Sequence, residues 1–255
     1  MQHTPLLDFF KRGEVEREVR LQAAQGAFAP RAYEQLSILV HLLEDPDREI
    51  RETADDTLNR IPVEALEKFL ARSDIAIGLR EFFGDRGIFP AVIPPVVTEF
   101  DEPLIEAPEE EGEEAARQSG TQELAAMNFP QRLKCAIKGT REQRAILIRD
   151  PNKMICAAVL SCPKVSAPEA ESFARMQSVS EDVLRIIGNN RSWMKSYGVV
   201  LALTRNPKSP LVMSMQLLSR LQDRDLQKVS VDRNVPEALR IGARKKVVAS
   251  ASGKG

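Results

Sequence analysis

The chain predicts an all-α fold: an α-solenoid of helix pairs, arranged as two helical-repeat domains separated by an acidic linker. Three observations carry this. Asp or Asn precedes Pro where one helix would stop and another begin, at Asp45-Pro46, Asp150-Pro151 and Asn206-Pro207, with a looser version across Asp232–Pro236. Apolar residues recur at helical spacing rather than in strand-like alternation. The breaks between these segments are only a few residues long, which forces consecutive helices against one another.

In chain order, Pro5 to Arg12 and Glu14 to Gln25 read as helices separated by Gly13. Pro30 opens a third, in which Leu36, Leu39, Val40 and Leu43 fall at i, i+3, i+4 and i+7. Asp45-Pro46 starts its partner, with Ile50, Ala54, Leu58 and Ile61 on one face. Pro62 opens the next, carrying Leu66, Phe69 and Leu70, and Ser73 or Asp74 restarts a last one through Ile77, Leu79, Phe82 and Phe83. At each junction the Asx side chain is expected to accept hydrogen bonds from the first turn, with Pro at the first helical position.

Residues 93–123 change character, with Pro94, Pro95, Pro103 and Pro108 followed by Glu109-Glu110-Glu111-Gly112-Glu113-Glu114. Such composition cannot bury enough apolar surface to offset ordering entropy, so a flexible linker is expected. Ile93 and Val96-Val97 are candidates for a short extended piece docking on the first domain. Beyond the linker, helices are expected near 129–137, 140–148, 151–161, 168–176, 180–187, 191–204, 210–222 and 236–247. Thr140–Gln143 and Ser166–Glu169 have capping-box spacing. Gly188 and Gly198 would let helices end or approach closely. Asp150, Asn190 and Asp232 open segments about 40 residues apart, a period that suits helix-pair repeats. The expected organisation is 1–92, a helical domain; 93–123, the acidic linker; 124–248, a basic helical-repeat domain; and 249–255, a disordered tail.

Leu36 to Ile61 resembles a HEAT repeat: a Leu-rich helix, Asp-Pro-Asp, Ile50-Arg51, then Ala54 and Leu58. The resemblance implies that Asp45 caps the turn and that Arg51 bonds back to it or to a neighbouring repeat. Asn206–Leu211 and Arg233–Arg240 look more like the leucine-rich-repeat variant, another helical solenoid. Some members of that group carry an iron–sulfur cluster, but the cysteine cluster this needs is absent here, so no cofactor is carried over.

At 255 residues the chain has room for one large or two ordinary domains, and its 43% apolar content supports a core. Aromatics are only 5%, so that core is aliphatic. The polar N-terminus does not resemble a secretory leader, and no apolar run approaches the roughly 20 residues that span a bilayer. Cys135, Cys156 and Cys162 match no zinc spacing and read as buried, reduced thiols of a cytoplasmic protein. The net charge of −1 hides a strong asymmetry. Residues 1–98 carry −5, residues 99–123 carry −9, and residues 124–255 carry +13. Segregation on this scale concerns surfaces and partners rather than fold.

Enzyme signatures are scarce. His3 and His41 are the only histidines, no phosphate loop or dinucleotide fingerprint occurs, and the carboxylates of 44–56 spread around a helix. The expected function is therefore a non-catalytic scaffold or adaptor. Candidate binding residues form a basic face of Arg141, Arg144, Arg149, Lys153, Arg191, Lys195, Arg240 and Arg244, with Trp193 as a possible anchor. The expected partner is an acidic or phosphate-bearing protein segment. Nucleic acid is the alternative, weakened by the few aromatics available to stack on bases. The chain's own acidic linker is a further candidate for folding back onto the basic domain.

Overall fold

The structure, a computed structural model, describes residues 5–92, 103–105, 124 and 126–252. Among them are 15 α-helices, two short 3₁₀ turns and no strand, so the described chain is all-α. The chain divides into two compact units. The first comprises Met1–Arg144 with Ser161–Pro163, and the second Ala145–Leu160 with Lys164–Gly255. The expected linker and the docking piece at Ile93 and Val96-Val97 lie outside the described residues, apart from Pro103–Ile105; so does His3.

The first unit contains α1 (Pro5–Lys11), α2 (Arg17–Ala24), α3 (Ala32–Leu42), α4 (Arg48–Arg60), α5 (Val63–Leu70), α6 (Ile77–Asp85) and α7 (Phe129–Lys138). Helix α3 packs against α1, α2 and α4. Of the stripe expected of it, Leu36 and Leu39 are buried while Val40 and Leu43 are half-buried, and Ile38 and Leu42 complete the core with Leu6, Val19, Ile50 and Ala54. Each fully buried Leu or Ile contributes about 1.5–3 kcal/mol. The turn between α3 and α4 is built differently from the expected cap. Asp45 Oδ1 accepts the Asp47 N–H at 2.9 Å, and Asp47 Oδ1 accepts the Glu49 N–H at 3.0 Å. Asp47 is therefore the helix cap, and the Asp-Pro pair forms a separate turn just ahead of it. Arg51 Nη1 donates to the Asp45 carbonyl at 2.5 Å, and Arg20 pairs with the buried Asp45 carboxylate at 3.0 Å. Helix α7 begins with a reciprocal capping box of Asn128 and Gln131 that the sequence reading overlooked.

Helix α8 (Arg141–Leu147) spans the division between the units, and its capping box of Thr140 and Gln143 is formed as expected. The second unit continues with α9 (Lys153–Ser161), α10 (Ala167–Arg175), α11 (Glu181–Asn189), α12 (Tyr197–Arg205), α13 (Leu211–Leu217), α14 (Asp223–Val231) and α15 (Glu237–Ser252). Helix α12 packs on α10 and α13, and α15 on α13 and α14, around Phe173, Leu184, Ile187, Val199, Leu203, Val229 and Leu239. A Cβ at Gly198 would lie 1.9 Å from Glu171 Oε2, the far end of a long side chain, so a larger residue there would displace that carboxylate.

The Asx turn recurs at the helix connections. Asp150 accepts the Asn152 N–H, Asn190 those of Ser192 and Trp193, Asn206 that of Lys208, and Asp232 that of Asn234. Two expected elements differ. The helix expected over 191–204 is broken at Ser196 into a 3₁₀ turn, Trp193–Lys195, and α12. Helix α14 was not expected, because its opening Asp223-Arg224-Asp225 reads as a charged loop. Its apolar face is Leu226 and Val229, three residues apart and both buried.

Candidate interaction surface

The structure divides the predicted basic residues between the units. Arg141 and Arg144 belong to the first, and Arg149, Lys153, Arg191, Lys195, Arg240 and Arg244 to the second. Arg141 is exposed, but Arg144 is only 5% exposed, and its Nη1 donates to the Gly139 carbonyl at 2.9 Å. A guanidinium spent on closing a helix end is not offered to a ligand. Lys153 pairs with Asp182 at 2.9 Å, and Arg244 Nε donates to the Ser230 carbonyl at 3.2 Å. Arg240 is half-buried, its Nε enclosed without a hydrogen-bond partner. Arg149, Arg191 and Lys195 are exposed, and among the described residues none has a carboxylate partner.

Trp193 is 7% exposed, so its ring packs inside the unit, and its backbone N–H donates to Asn190 Oδ1. Phe173 is likewise buried. Tyr197 is tied down as well: its hydroxyl donates to Asp225 at 2.6 Å and accepts the Gln222 N–H at 3.2 Å. Burial, followed by the bond to Asp225, raises the Tyr197 hydroxyl above its usual range, while Tyr197 and Lys228 lower the Asp225 carboxyl. The protonation states are thereby fixed as phenol and carboxylate, a joint between α12 and α14 rather than a proton shuttle. Cys156 Sγ points at the carbonyls of Ile148 (3.3 Å) and Asp150 (3.2 Å), and burial pushes its thiol up to about 12. A thiol so far from ionising is a poor nucleophile. His41 is half-buried.

The sequence reading missed a groove of about 580 Å³ at the start of α13, lined by Pro207, Lys208, Ser209, Pro210, Leu211 and Val212 together with Glu181 and Pro236. Leu211, Val212 and Met215 are 42%, 72% and 39% exposed, an apolar patch outside the core stripe. Lys208 is exposed with no carboxylate partner among the described residues, and the Ser209 hydroxyl is enclosed without a hydrogen-bond partner. Glu181 is already matched by Arg185 at 2.7 Å. The sequence carries no signal for it: Leu211, Met215 and Leu218 fall at i, i+4 and i+7 and read as a core stripe, of which only Leu218 is buried.

No group of three or more His, Cys, Asp or Glu among the described residues is arranged to hold a metal ion, and none of their helices is long and apolar enough to cross a membrane. No protein-family model, curated protein or solved structure matches the chain.

Proposed function

We propose that the chain is a non-catalytic scaffold or adaptor that binds a carboxylate-rich or phosphate-bearing segment of a partner protein on the second unit. The observation that carries this is the exposed, carboxylate-free set Arg149, Arg191, Lys195 and Lys208. It sits on a unit with 18 Lys and Arg against 9 Asp and Glu. Positive charge without local neutralisation attracts anionic segments, and the groove beside Lys208 offers an apolar contact that would hold one in register. The frame in this reading is a solenoid of helix pairs, supported by the HEAT-like pattern at Leu36–Ile61 and the recurring Asx turns, and its setting is cytoplasmic. Burial of Trp193 and Phe173 favours a protein partner over single-stranded nucleic acid, which needs exposed rings for stacking.

Fluorescence anisotropy on the full chain at low salt tests this, with three probes: a labelled Glu-rich peptide carrying one Leu, its neutral Gln counterpart, and a DNA duplex. The Glu-rich peptide is expected to bind and the Gln peptide not to. Arg191→Glu with Lys195→Glu, or Lys208→Glu alone, is expected to weaken binding about tenfold, the loss of one to two charge contacts. No binding of the acidic peptide would overturn the proposal. Tighter binding of the duplex, falling steeply with salt, would move it to nucleic acid.

A further inference from the structure

On the first unit, Gln35 of α3 is 1% exposed, and its amide uses all of its hydrogen-bonding capacity. Nε2 donates to the Gly26 carbonyl at 3.1 Å and to the Ile105 carbonyl at 2.6 Å. Oε1 accepts the Leu104 N–H at 2.8 Å and the Ile105 N–H at 3.2 Å. Three of these four bonds run to the main chain of one short segment about 70 positions away in sequence. The side chain thus presents to Leu104-Ile105 a donor and an acceptor, and the segment bends there so that two consecutive N–H groups reach one oxygen. The slot is closed by Gly26, at φ +96°, where a Cβ would lie 3.1 Å from Ile105 Cγ2. Glycine is needed there both for the backbone angle and for the close approach of the isoleucine.

Main-chain bonds of this kind hold a bent segment whatever its side chains, and the contact at Gly26 adds a preference for a branched aliphatic residue at the second position. We propose that Gln35 and Gly26 form a peptide-reading slot, filled in cis by Leu104-Ile105, that takes a bent aliphatic segment of the same chemistry from a partner protein when the chain's own segment withdraws. The resident segment supplies the template: two consecutive free N–H groups, one carbonyl, and Leu followed by Ile. It lies in a stretch rich in Glu and Pro (93–123), whose composition provides little apolar surface to secure it. Tethering raises its effective concentration, so a free peptide competes poorly until the resident is removed. This slot is independent of the basic surface on the second unit.

The test uses the full chain and a fluorescein-labelled peptide, Ser-Gln-Pro-Leu-Ile-Gln-Ala. The peptide copies the resident segment with its acids replaced, so that the basic surface does not attract it. Ile105→Asp, which evicts the resident, is expected to bind the peptide at least tenfold more tightly than wild type. Adding Gln35→Ala is expected to abolish that binding, and a peptide with Pro in place of Leu, lacking the first N–H, is expected to fail. Leu104→Pro provides a second way to evict the resident should Ile105→Asp lose its helical circular dichroism. A peptide that binds neither evicted variant, or binds wild type and variants alike, would overturn the proposal. So would a wild-type dimer that Ile105→Asp dissolves, since the slot would then exchange segments between copies. Binding of the Glu-rich peptide to the second unit is expected to be unchanged in all these variants, which separates failure of the slot from failure of the basic surface.

Discussion

Glu34 shows how far a residue's role can lie from its sequence reading. It follows Arg31 and Ala32 at the start of an amphipathic helix and would be placed on the solvated side, yet it is 3% exposed and its carboxylate accepts the Leu6 N–H at 3.2 Å. Burial pushes the carboxyl up from 4.5 to about 7, outweighing the bonds from Leu6 and Leu7 and the field of Arg31, while Asp8 pushes it the same way. The folded state therefore holds this proton more tightly than the unfolded chain does. Its contribution to stability is complete below about pH 4.5 and is lost as the pH rises through about 7. At about 1.4 kcal/mol per pH unit, the loss is on the order of 3 kcal/mol. Glu34→Gln retains an oxygen for the Leu6 N–H and removes the charge. It is expected to stabilise the protein by about 1–3 kcal/mol at pH 8 and to change little at pH 4.5, as measured by urea unfolding at both values. A variant less stable than wild type at pH 8 would show that the carboxylate, not the carboxylic acid, holds α1.

At the scale of elements, the Asx-Pro signal located the helix junctions, but its chemistry had to be corrected. Asp45, Asp150, Asn206 and Asp232 each close a turn upstream of the next helix by accepting the N–H two residues on. The positions of these turns were legible because Pro and Asx leave few alternatives. The long-range partners were not. Asn206 Nδ2 reaches the carbonyls of Ala174 and Met176, at 2.8 and 3.0 Å, joining the end of α12 to the end of α10. Helix α14 escaped notice because local charge masked a face that only packing on α15 reveals. Asn206→Ala would leave two carbonyls and one N–H without this partner in a site 5% exposed, at a cost of about 2–4 kcal/mol. Asp47→Ala, which removes an N-cap, should cost only about 1 kcal/mol. Urea midpoints of the two variants check the ranking. Equal losses would mean that water replaces Asn206, and that the turn is local rather than a tie between helices.

For the whole molecule, a net charge of −1 describes neither unit. The first carries 18 Lys and Arg against 28 Asp and Glu, a net of −10, and the second carries +9. This contrast was legible in the sequence, and so was the list of cations. Their availability was not: capping takes Arg144, Asp182 takes Lys153, and the exposed set gains Lys208, which the sequence reading passed over. Screening acts over a Debye length of about 10 Å at 0.1 M salt, shorter than a unit of this size, so a charged resin responds to the local excess of a patch rather than to the sum. The full chain at pH 7 and about 0.1 M salt is therefore expected to be retarded on both a cation and an anion exchanger, although its pI near 6.2 predicts little retention on either. Lys208→Glu combined with Arg191→Glu and Lys195→Glu should elute from the cation exchanger at clearly lower salt and from the anion exchanger at somewhat higher salt. Flow-through of wild type on the cation exchanger would mean that the positive excess is already neutralised within the molecule, and an acidic partner would then have no free surface to find.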